Sequence, residues 1–131
     1  MHVHVSPEIM QELVRHSRTT HPNECCGILY GTPDRITAAE PAANVHATPR
    51  THFEIDPAAL IAAHRTARDG GVPIAGYYHS HPTGIAEPSA TDAAMAAGDG
   101  RIWAIIAQDN IRFWRDTGSG FVPLSYALAD S

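Results

Sequence analysis

Two histidines one residue apart, followed at a short interval by an aspartate, are the residues of this chain best suited to binding a metal. The sequence His-Ser-His-Pro occupies residues 79–82, six residues follow, and Ser-Ala-Thr-Asp occupies residues 89–92. Side chains at positions i and i+2 of a strand point to the same face, so the imidazoles of His79 and His81 project side by side. The carboxylate of Asp92, in the first turn of a following helix, can fold back toward them. Two histidines and one carboxylate, with a fourth position left to water, are typical of a catalytic zinc site.

Each half of this pattern also has a structural explanation. A second His-x-His segment at residues 2–4 is interpreted as an ordinary strand, and Ser89 with Asp92 matches a helix capping box. The two halves, joined by a loop that begins with proline, are more specific than either alone. The spacing therefore predicts one zinc ion per chain, bound by His79, His81 and Asp92.

The composition is that of a compact globular protein and argues against nucleic acid as a partner. The chain has 131 residues, 44% of them hydrophobic, and we predict a single domain over residues 1–131. The net charge is −5, and the nine basic residues, all arginine, are scattered along the sequence. Nucleic-acid binding usually requires a clustered basic face, which this distribution does not provide.

Nothing in the sequence predicts export or membrane insertion. The longest strongly apolar stretch, residues 102–107, is far shorter than the roughly 20 residues that span a bilayer. The first residues lack a basic region followed by an apolar run, which argues against a signal peptide. Cys25 and Cys26 are adjacent and bridge each other poorly, so no disulfide framework is expected. We therefore predict a cytoplasmic protein without membrane association, and no pattern indicates its oligomeric state.

Capping and turn signals divide the chain into helices and short strands. Ser6-Pro7 and Asp56-Pro57 each provide a cap followed by proline at the first helical position, and predict helices that end before His21-Pro22 and at Gly70-Gly71. A third helix is predicted over residues 89–97, and residues 41–50 are predicted to form a loop. The predicted strands cover residues 25–30, 35–40, 53–55, 74–79, 102–107, 111–115 and 121–124. This order predicts an α/β fold with a mixed β-sheet flanked by helices.

The segment that ends at Asp92 resembles the signature of a known family. The array His-Ser-His-Pro, six residues, Ser, two residues, Asp is similar to the signature of the JAMM metalloproteases, also called MPN-plus. Residues 74–78, Ile-Ala-Gly-Tyr-Tyr, resemble the strand that leads into it, and residues 22–31, Pro-Asn-Glu-Cys-Cys-Gly-Ile-Leu-Tyr-Gly, resemble the family's glutamate-bearing segment. The likeness runs from about Ser6 to Trp114, with no departure at the signature positions. It implies the JAMM/MPN fold, with a layering like that of cytidine deaminases.

The resemblance implies a role for each matching residue. His79, His81 and Asp92 would bind zinc, while Glu24 would accept a proton from the zinc-bound water and deliver it to the leaving amine. Ser89 would support the oxyanion of the tetrahedral intermediate, a role compatible with capping the helix. Zinc lowers the pKa of bound water to ~7, and a donor aimed at an oxyanion commonly contributes about 2.7–4 kcal/mol.

Two other acids and two cysteines compete for a catalytic role on sequence position alone. Glu87 lies in the loop between the metal-binding residues and Glu54 precedes the second helix. The resemblance selects Glu24, and we expect Glu87 to line a substrate groove and Glu54 to be solvated or to cap a helix. A cysteine nucleophile is disfavoured because cysteine on an apolar strand usually behaves as a small buried hydrophobe. Strand alternation places Cys25 and Cys26 on opposite faces.

The resemblance also implies a substrate class. It indicates a peptidase or isopeptidase that acts next to the C-terminal tail of a ubiquitin-like protein. Bacterial single-domain members of the family are similar to peptidases that trim ubiquitin-like sulfur carriers, including removal of a C-terminal cysteine. This chain is short for an elaborate ubiquitin-recognition insertion, which favours a small sulfur carrier whose Gly-Gly tail lies extended along a sheet edge.

Three alternatives from other classes remain open at this stage. The same fold serves as a non-catalytic binding scaffold where the metal-binding residues are lost, whereas here all are present. A nucleobase or nucleotide deaminase requires His-x-Glu followed by Pro-Cys-x-x-Cys, and neither element occurs in the sequence. A DNA-associated relative of the same metal motif is disfavoured by the acidic balance and the absence of lysine. Zinc content separates the enzyme from the scaffold.

Overall fold

One strongly curved sheet with helices on both sides forms the fold in the computed structural model, which describes residues 2–129. Over these residues the elements in chain order are β1 His2–Val5, α1 Pro7–Thr20, β2 Cys26–Thr32, β3 Arg35–Ala42, α2 Pro57–Arg68, β4 Ile74–Ser80, α3 Ala90–Met95, β5 Ile102–Ala107, β6 Asn110–Thr117 and β7 Gly120–Leu128. None of these helices is long and apolar enough to cross a membrane.

The sheet is mixed and closes on itself. Its strand order is β1-β3-β2-β4-β5-β6-β7, and β1 returns to pair with β7. The pairs β1–β3, β1–β7 and β4–β5 are parallel, and the other neighbours are antiparallel. The pairing between β1 and β3 is limited, since these strands meet through the single pair His4 and Arg35. The predicted α/β fold with a mixed sheet is confirmed, whereas its closure was not predicted.

Two apolar cores lie on the two faces of this sheet, and β5 contributes to both. Ile102, Ala104 and Ile106 belong to the core that α1 covers, and the alternate residues of β5 belong to the core that α2 covers. Every residue of β5 is therefore buried. A strand buried on both faces is expected to be apolar at every position, as this one is.

The two predicted proline-headed helices are confirmed together with their caps. The Ser6 hydroxyl accepts a hydrogen bond from the Ile9 N–H at 3.3 Å. The Asp56 carboxylate accepts one from the Ala58 N–H at 3.1 Å. The third helix is shorter than predicted because Ala96 is already extended.

The strand predicted over residues 53–55 is wrong, because side-chain hydrogen bonds replace a strand ladder there. The Asn44 amide donates to the carbonyls of Glu24 and His52, at 3.0 Å each. Its Oδ1 accepts from the backbone N–H groups of His46 and Glu54. Only an isolated bridge between Asn44 and Ile55 has strand-like pairing.

Candidate metal centre

The two histidines of the signature lie at the end of the central strand β4, between β2 and β5. His79 pairs with Cys26 on one side and Ile105 on the other, and its side chain is fully buried. His81 follows the last strand residue, and its N–H donates to the Ile106 carbonyl at 2.8 Å, which keeps the chain extended. The two rings therefore project together, with their centroids 4.8 Å apart. This confirms the placement predicted from the i, i+2 spacing.

A capping box brings the third signature residue to the histidines. The Ser89 hydroxyl accepts from the Asp92 N–H at 3.0 Å, and the Asp92 carboxylate accepts from the Ser89 N–H at 2.9 Å. The carboxylate is thereby fixed at the start of α3 and is buried. Its Oδ1 lies 3.1 Å from His79 Nε2, and its Oδ2 lies 3.1 Å from His81 Nε2. The same capping geometry thus begins the helix and places the Asp92 carboxylate beside the two histidines.

The atoms that converge here can each offer a lone pair to a metal. His81 Nδ1–H donates to the Ile85 carbonyl at 2.7 Å, so the neutral ring presents an unprotonated Nε2. That Nε2 lies 3.0 Å from His79 Nε2. The three atoms are His79 Nε2, His81 Nε2 and a carboxylate oxygen of Asp92. Lone pairs at such separations repel each other unless a cation or proton lies between them. Ligands of tetrahedral zinc, about 2.05 Å from the metal, lie about 3.3 Å apart.

The donor set therefore fits zinc in both chemistry and spacing. Among residues 2–129, His79, His81 and Asp92 form the one group of three histidine, cysteine or acidic residues whose ligand atoms lie close enough to hold a metal ion.

The pKa shifts of Asp92 and His79 favour the forms that bind a metal, whereas that of His81 favours the protonated ring, from which a bound metal would displace the proton. Burial alone would raise the pKa of Asp92, but its contacts with His79 and His81 hold that pKa well below its usual range. Burial lowers the pKa of His79. For His81, burial acts to lower the pKa, and the contacts with Asp92 and the Ile85 carbonyl outweigh it and raise the pKa. A carboxylate and a neutral imidazole are the forms in which these residues bind a metal.

The ring of His79 is fixed by aromatic packing. Phe53 stacks on it, with ring centroids 4.3 Å apart and planes 17° apart. Trp103 meets it edge-on at 5.6 Å. Its Nδ1 is buried and has no hydrogen-bond partner in the part of the chain that the structure describes. The two aromatic rings therefore fix an orientation that is more often fixed by a hydrogen bond.

A groove of about 430 Å³ opens beside the three residues, and Glu24, His81 and Ser89 line it together. The backbone of Glu24 is held at both ends, because its N–H donates to the Pro49 carbonyl at 2.7 Å and its carbonyl accepts from the Asn44 amide. Burial raises the pKa of Glu24 to about 7, with His81 acting to lower it and Asp92 to raise it. A carboxyl group that titrates near neutral pH is suited to both accepting and returning a proton.

The competing acids lie where the sequence analysis expected them. Glu87 lines the same groove, but its side chain is half exposed and faces Arg112 at 3.4 Å. Glu54 is exposed and does not line this groove.

The two cysteines lie in different apolar cores, as strand alternation predicted. Burial raises the pKa of Cys25 to about 11 and that of Cys26 to about 12. Because the thiolate is the nucleophilic form, neither side chain is prepared for nucleophilic attack at neutral pH.

The contact that holds the loop between His81 and Asp92 was not predicted from the sequence. Trp114, on β6, donates its indole N–H to the Ala86 carbonyl at 3.1 Å. The preceding carbonyl, that of Ile85, orients His81. A tryptophan 28 positions from its partner gives no local signal, so the anchor is visible only in three dimensions.

Comparison with known proteins places the chain in a family. Residues 6–117 match the family described as prokaryotic homologs of the JAB domain. The chain is 37% identical over 110 residues to a desampylase of Haloferax volcanii, covering 82% of this chain and 79% of that protein. It is 33% identical over 95 residues to the CysO-cysteine peptidase of Mycobacterium tuberculosis, covering 70% of this chain and 64% of that protein.

A solved structure of a protein from Desulfitobacterium hafniense has a closely similar fold. Its TM-score is 0.85 at 27% identity, and the match covers 98% of this chain and 94% of that one. Together with the match over residues 6–117, the comparisons show that this chain belongs to the prokaryotic JAB-domain proteins, within the JAMM/MPN family.

Proposed function

We propose that this chain is a zinc-dependent peptidase or isopeptidase that hydrolyses the bond next to the C-terminal tail of a ubiquitin-like sulfur-carrier protein. The observation that carries the proposal is the convergence of His79, His81 and Asp92 beside a groove that Glu24 also lines. The names of three relatives support the same class of reaction: a desampylase, a CysO-cysteine peptidase and a probable TtuB-protein conjugate cleaving protease.

One zinc ion per chain would be held by His79, His81 and Asp92. When bound, zinc supplies a Lewis acid and lowers the pKa of a coordinated water to ~7. The capping box and the Ile85 carbonyl orient Asp92 and His81 before any metal arrives. This preorganisation lowers the entropic cost of assembling the site.

Glu24 is the proposed proton carrier. Its buried carboxylate takes a proton from the water that attacks the scissile carbonyl, and then returns the proton to the leaving amine. Both transfers are served by a group whose pKa of about 7 is close to neutral pH. The half-exposed Glu87, which faces Arg112, lacks this burial.

Ser89 is the proposed donor to the oxyanion. Its oxygen accepts the Asp92 N–H, which leaves the hydroxyl hydrogen free to donate into the groove. A donor at that position stabilises the negative charge that develops on the substrate oxygen as the tetrahedral intermediate forms.

The test is cleavage of defined carriers by the zinc-loaded protein. The substrates are ubiquitin-fold carriers whose Gly-Gly tail is extended by cysteine, by a short peptide or by an isopeptide-linked lysine. Each is incubated with the protein, and the products are identified by intact mass spectrometry. We expect a product that ends at the second glycine, loss of cleavage with a chelator, and recovery when zinc is restored. Failure of the folded, zinc-loaded protein to cleave any of these carriers would contradict the proposal.

A further inference from the structure

A second cavity, of about 330 Å³, lies on the far side of the aromatic residues that hold His79. Phe53 and Trp103, which contact the His79 ring at 4.3 and 5.6 Å between centroids, also line this cavity. Tyr77 adds a third aromatic wall. The cavity thus shares its walls with the metal centre but is distinct from the groove that Glu24 lines. Its volume is at the lower end for ligand pockets, which suits one extended side chain.

Three carboxylates line the same cavity, from three different segments. They belong to Glu54, Asp99 and Asp116. Arg101 pairs with Asp99 at 2.9 Å and neutralises one of the three charges. Among the described residues, no lysine, arginine or histidine lines the cavity. The cavity is therefore apolar and aromatic on its walls and carries a net negative charge.

The decisive group is Asp116, whose side chain is almost completely buried, with 1% of the residue exposed. Its Oδ2 accepts a hydrogen bond from the Gly98 N–H at 3.0 Å. Its Oδ1 is buried and has no hydrogen-bond partner within residues 2–129. A buried carboxylate oxygen without a donor is costly, so a donor from outside the chain would remove a penalty already present in the fold.

We propose that this cavity binds a lysine or arginine side chain of the protein substrate. The aliphatic stem would pack against Phe53, Tyr77 and Trp103, and the cationic end would pair with the Asp116 carboxylate. Aromatic rings attract a cation placed over their faces. The aromatic walls and the Asp116 carboxylate therefore favour the same kind of ligand, an alkyl cation. That the ligand comes from a protein substrate depends on the proposed function. The affinity for an alkyl cation depends only on the cavity.

The cavity is tested directly with small alkyl cations on the intact, zinc-loaded protein. n-Butylguanidinium and n-butylammonium are titrated while the ¹⁵N NMR signals of the Gly98 amide and the Trp103 indole are followed, with n-butanol as the neutral control. We expect saturable shifts at both signals with the two cations and none with the alcohol. Absence of saturable shifts, or equal shifts with n-butanol, would overturn the proposal.

Isosteric variants separate the carboxylate from general effects. Asp116→Asn keeps an oxygen for the Gly98 N–H but removes the charge, and we expect it to weaken cation binding by about tenfold or more. Asp109→Asn, whose side chain pairs with Arg18 and does not line the cavity, should leave binding unchanged. If Asp116→Asn does not fold, Asp99→Asn replaces it and should weaken binding by a smaller factor. Unchanged affinity in the folded cavity variant would contradict the assignment.

Peptidase activity distinguishes this proposal from the function on which it depends. On cleavable carriers, Asp116→Asn should raise KM most for carriers with a basic residue near the tail, and this preference should disappear when that residue is replaced by glutamine. Cation binding without cleavage of any carrier would refute the proposed function and leave the cavity assignment intact. Cleavage of a carrier without cation binding would refute the cavity assignment and leave the proposed function intact.

Discussion

The chain contains two His-x-His segments, and they show what spacing can and cannot encode. The rings of His2 and His4 on β1 lie 5.1 Å apart, and those of His79 and His81 lie 4.8 Å apart. The spacing therefore produces almost the same pair of neighbouring rings twice. On β1, however, Val3 and Val5 are the fully buried residues and the histidines point away from the core, whereas His79 is itself fully buried.

The second difference is the third residue. Asp34 lies near His4, but it is exposed and accepts a hydrogen bond from the Thr32 hydroxyl at 2.8 Å. Asp92 is buried and faces both rings of the other pair. Spacing determines that two rings meet, and burial, an oriented carboxylate and a fixed tautomer determine whether they form a metal centre.

The largest expected effect separates the two pairs by their zinc content. The double variant His79→Ala, His81→Ala should lose essentially all zinc, because two of the three proposed ligands are gone. The matched double variant His2→Ala, His4→Ala should keep one zinc per chain. Elemental analysis of protein purified without added metal measures both, with circular dichroism to confirm folding. Full zinc occupancy in the first variant would refute the assignment of the ligands.

The next effect concerns Glu24, the buried acid that lines the groove together with His81. Glu24→Gln should keep zinc and the fold but lose 10²–10⁴-fold in turnover, the range typical of a general acid–base group. Glu87→Gln, in the same groove but half exposed, should retain most of its activity. Carrier cleavage rates at saturating substrate decide between them. A near-normal rate for Glu24→Gln together with loss of activity in Glu87→Gln would mean that Glu87 is the catalytic acid.

A smaller effect is expected from the anchor of the loop that orients His81. Trp114→Phe removes the indole N–H that holds the Ala86 carbonyl. Residues that orient metal ligands typically change metal affinity by 10–100-fold when mutated, and we expect zinc affinity to fall within that range. Competition with a chromophoric chelator measures it. Tyr30→Phe, which removes an exposed hydrogen bond to Glu40, is the control and should bind zinc normally. Unchanged affinity in Trp114→Phe would show that the loop is held by other contacts.

What the sequence could predict follows the range of the interactions. The caps at Ser6 and Asp56 and the bounds of β5 depend on neighbouring residues, and they were predicted correctly. The meeting of His79, His81 and Asp92 was also accessible, because a strand period and a capping box are local rules. The proposed catalytic roles of Glu24 and Ser89 stay predictions.

Long-range interactions account for what was missed. The sheet closes through β1 and β7, whose paired residues lie more than 100 positions apart, as in His2 with Ser125. The Asn44 side chain replaces strand pairing around residues 53–55 through bonds that local β-propensity does not represent. The Trp114 anchor likewise joins β6 to a loop far away in the sequence. None of these partnerships leaves a periodic or motif-like trace.

The smallest expected effect tests the burial of Glu24 through stability, in protein stripped of metal. The folded-state pKa of Glu24, about 7, is above its unfolded value of 4.5, so the folded protein holds this proton more tightly than the unfolded chain. The resulting contribution is fully present below pH 4.5 and is lost as the pH rises through about 7. Glu24→Gln cannot lose a proton, so its stability relative to the wild type should rise over this window, by on the order of 2 kcal/mol. Urea unfolding of the wild type and of Glu24→Gln at pH 4.5 and pH 7.5 gives the difference between their free energies of unfolding. Glu54→Gln is the control for the loss of one exposed charge. A wild-type-to-Gln difference that stays constant with pH would mean that the Glu24 carboxylate is solvated rather than buried beside the metal centre.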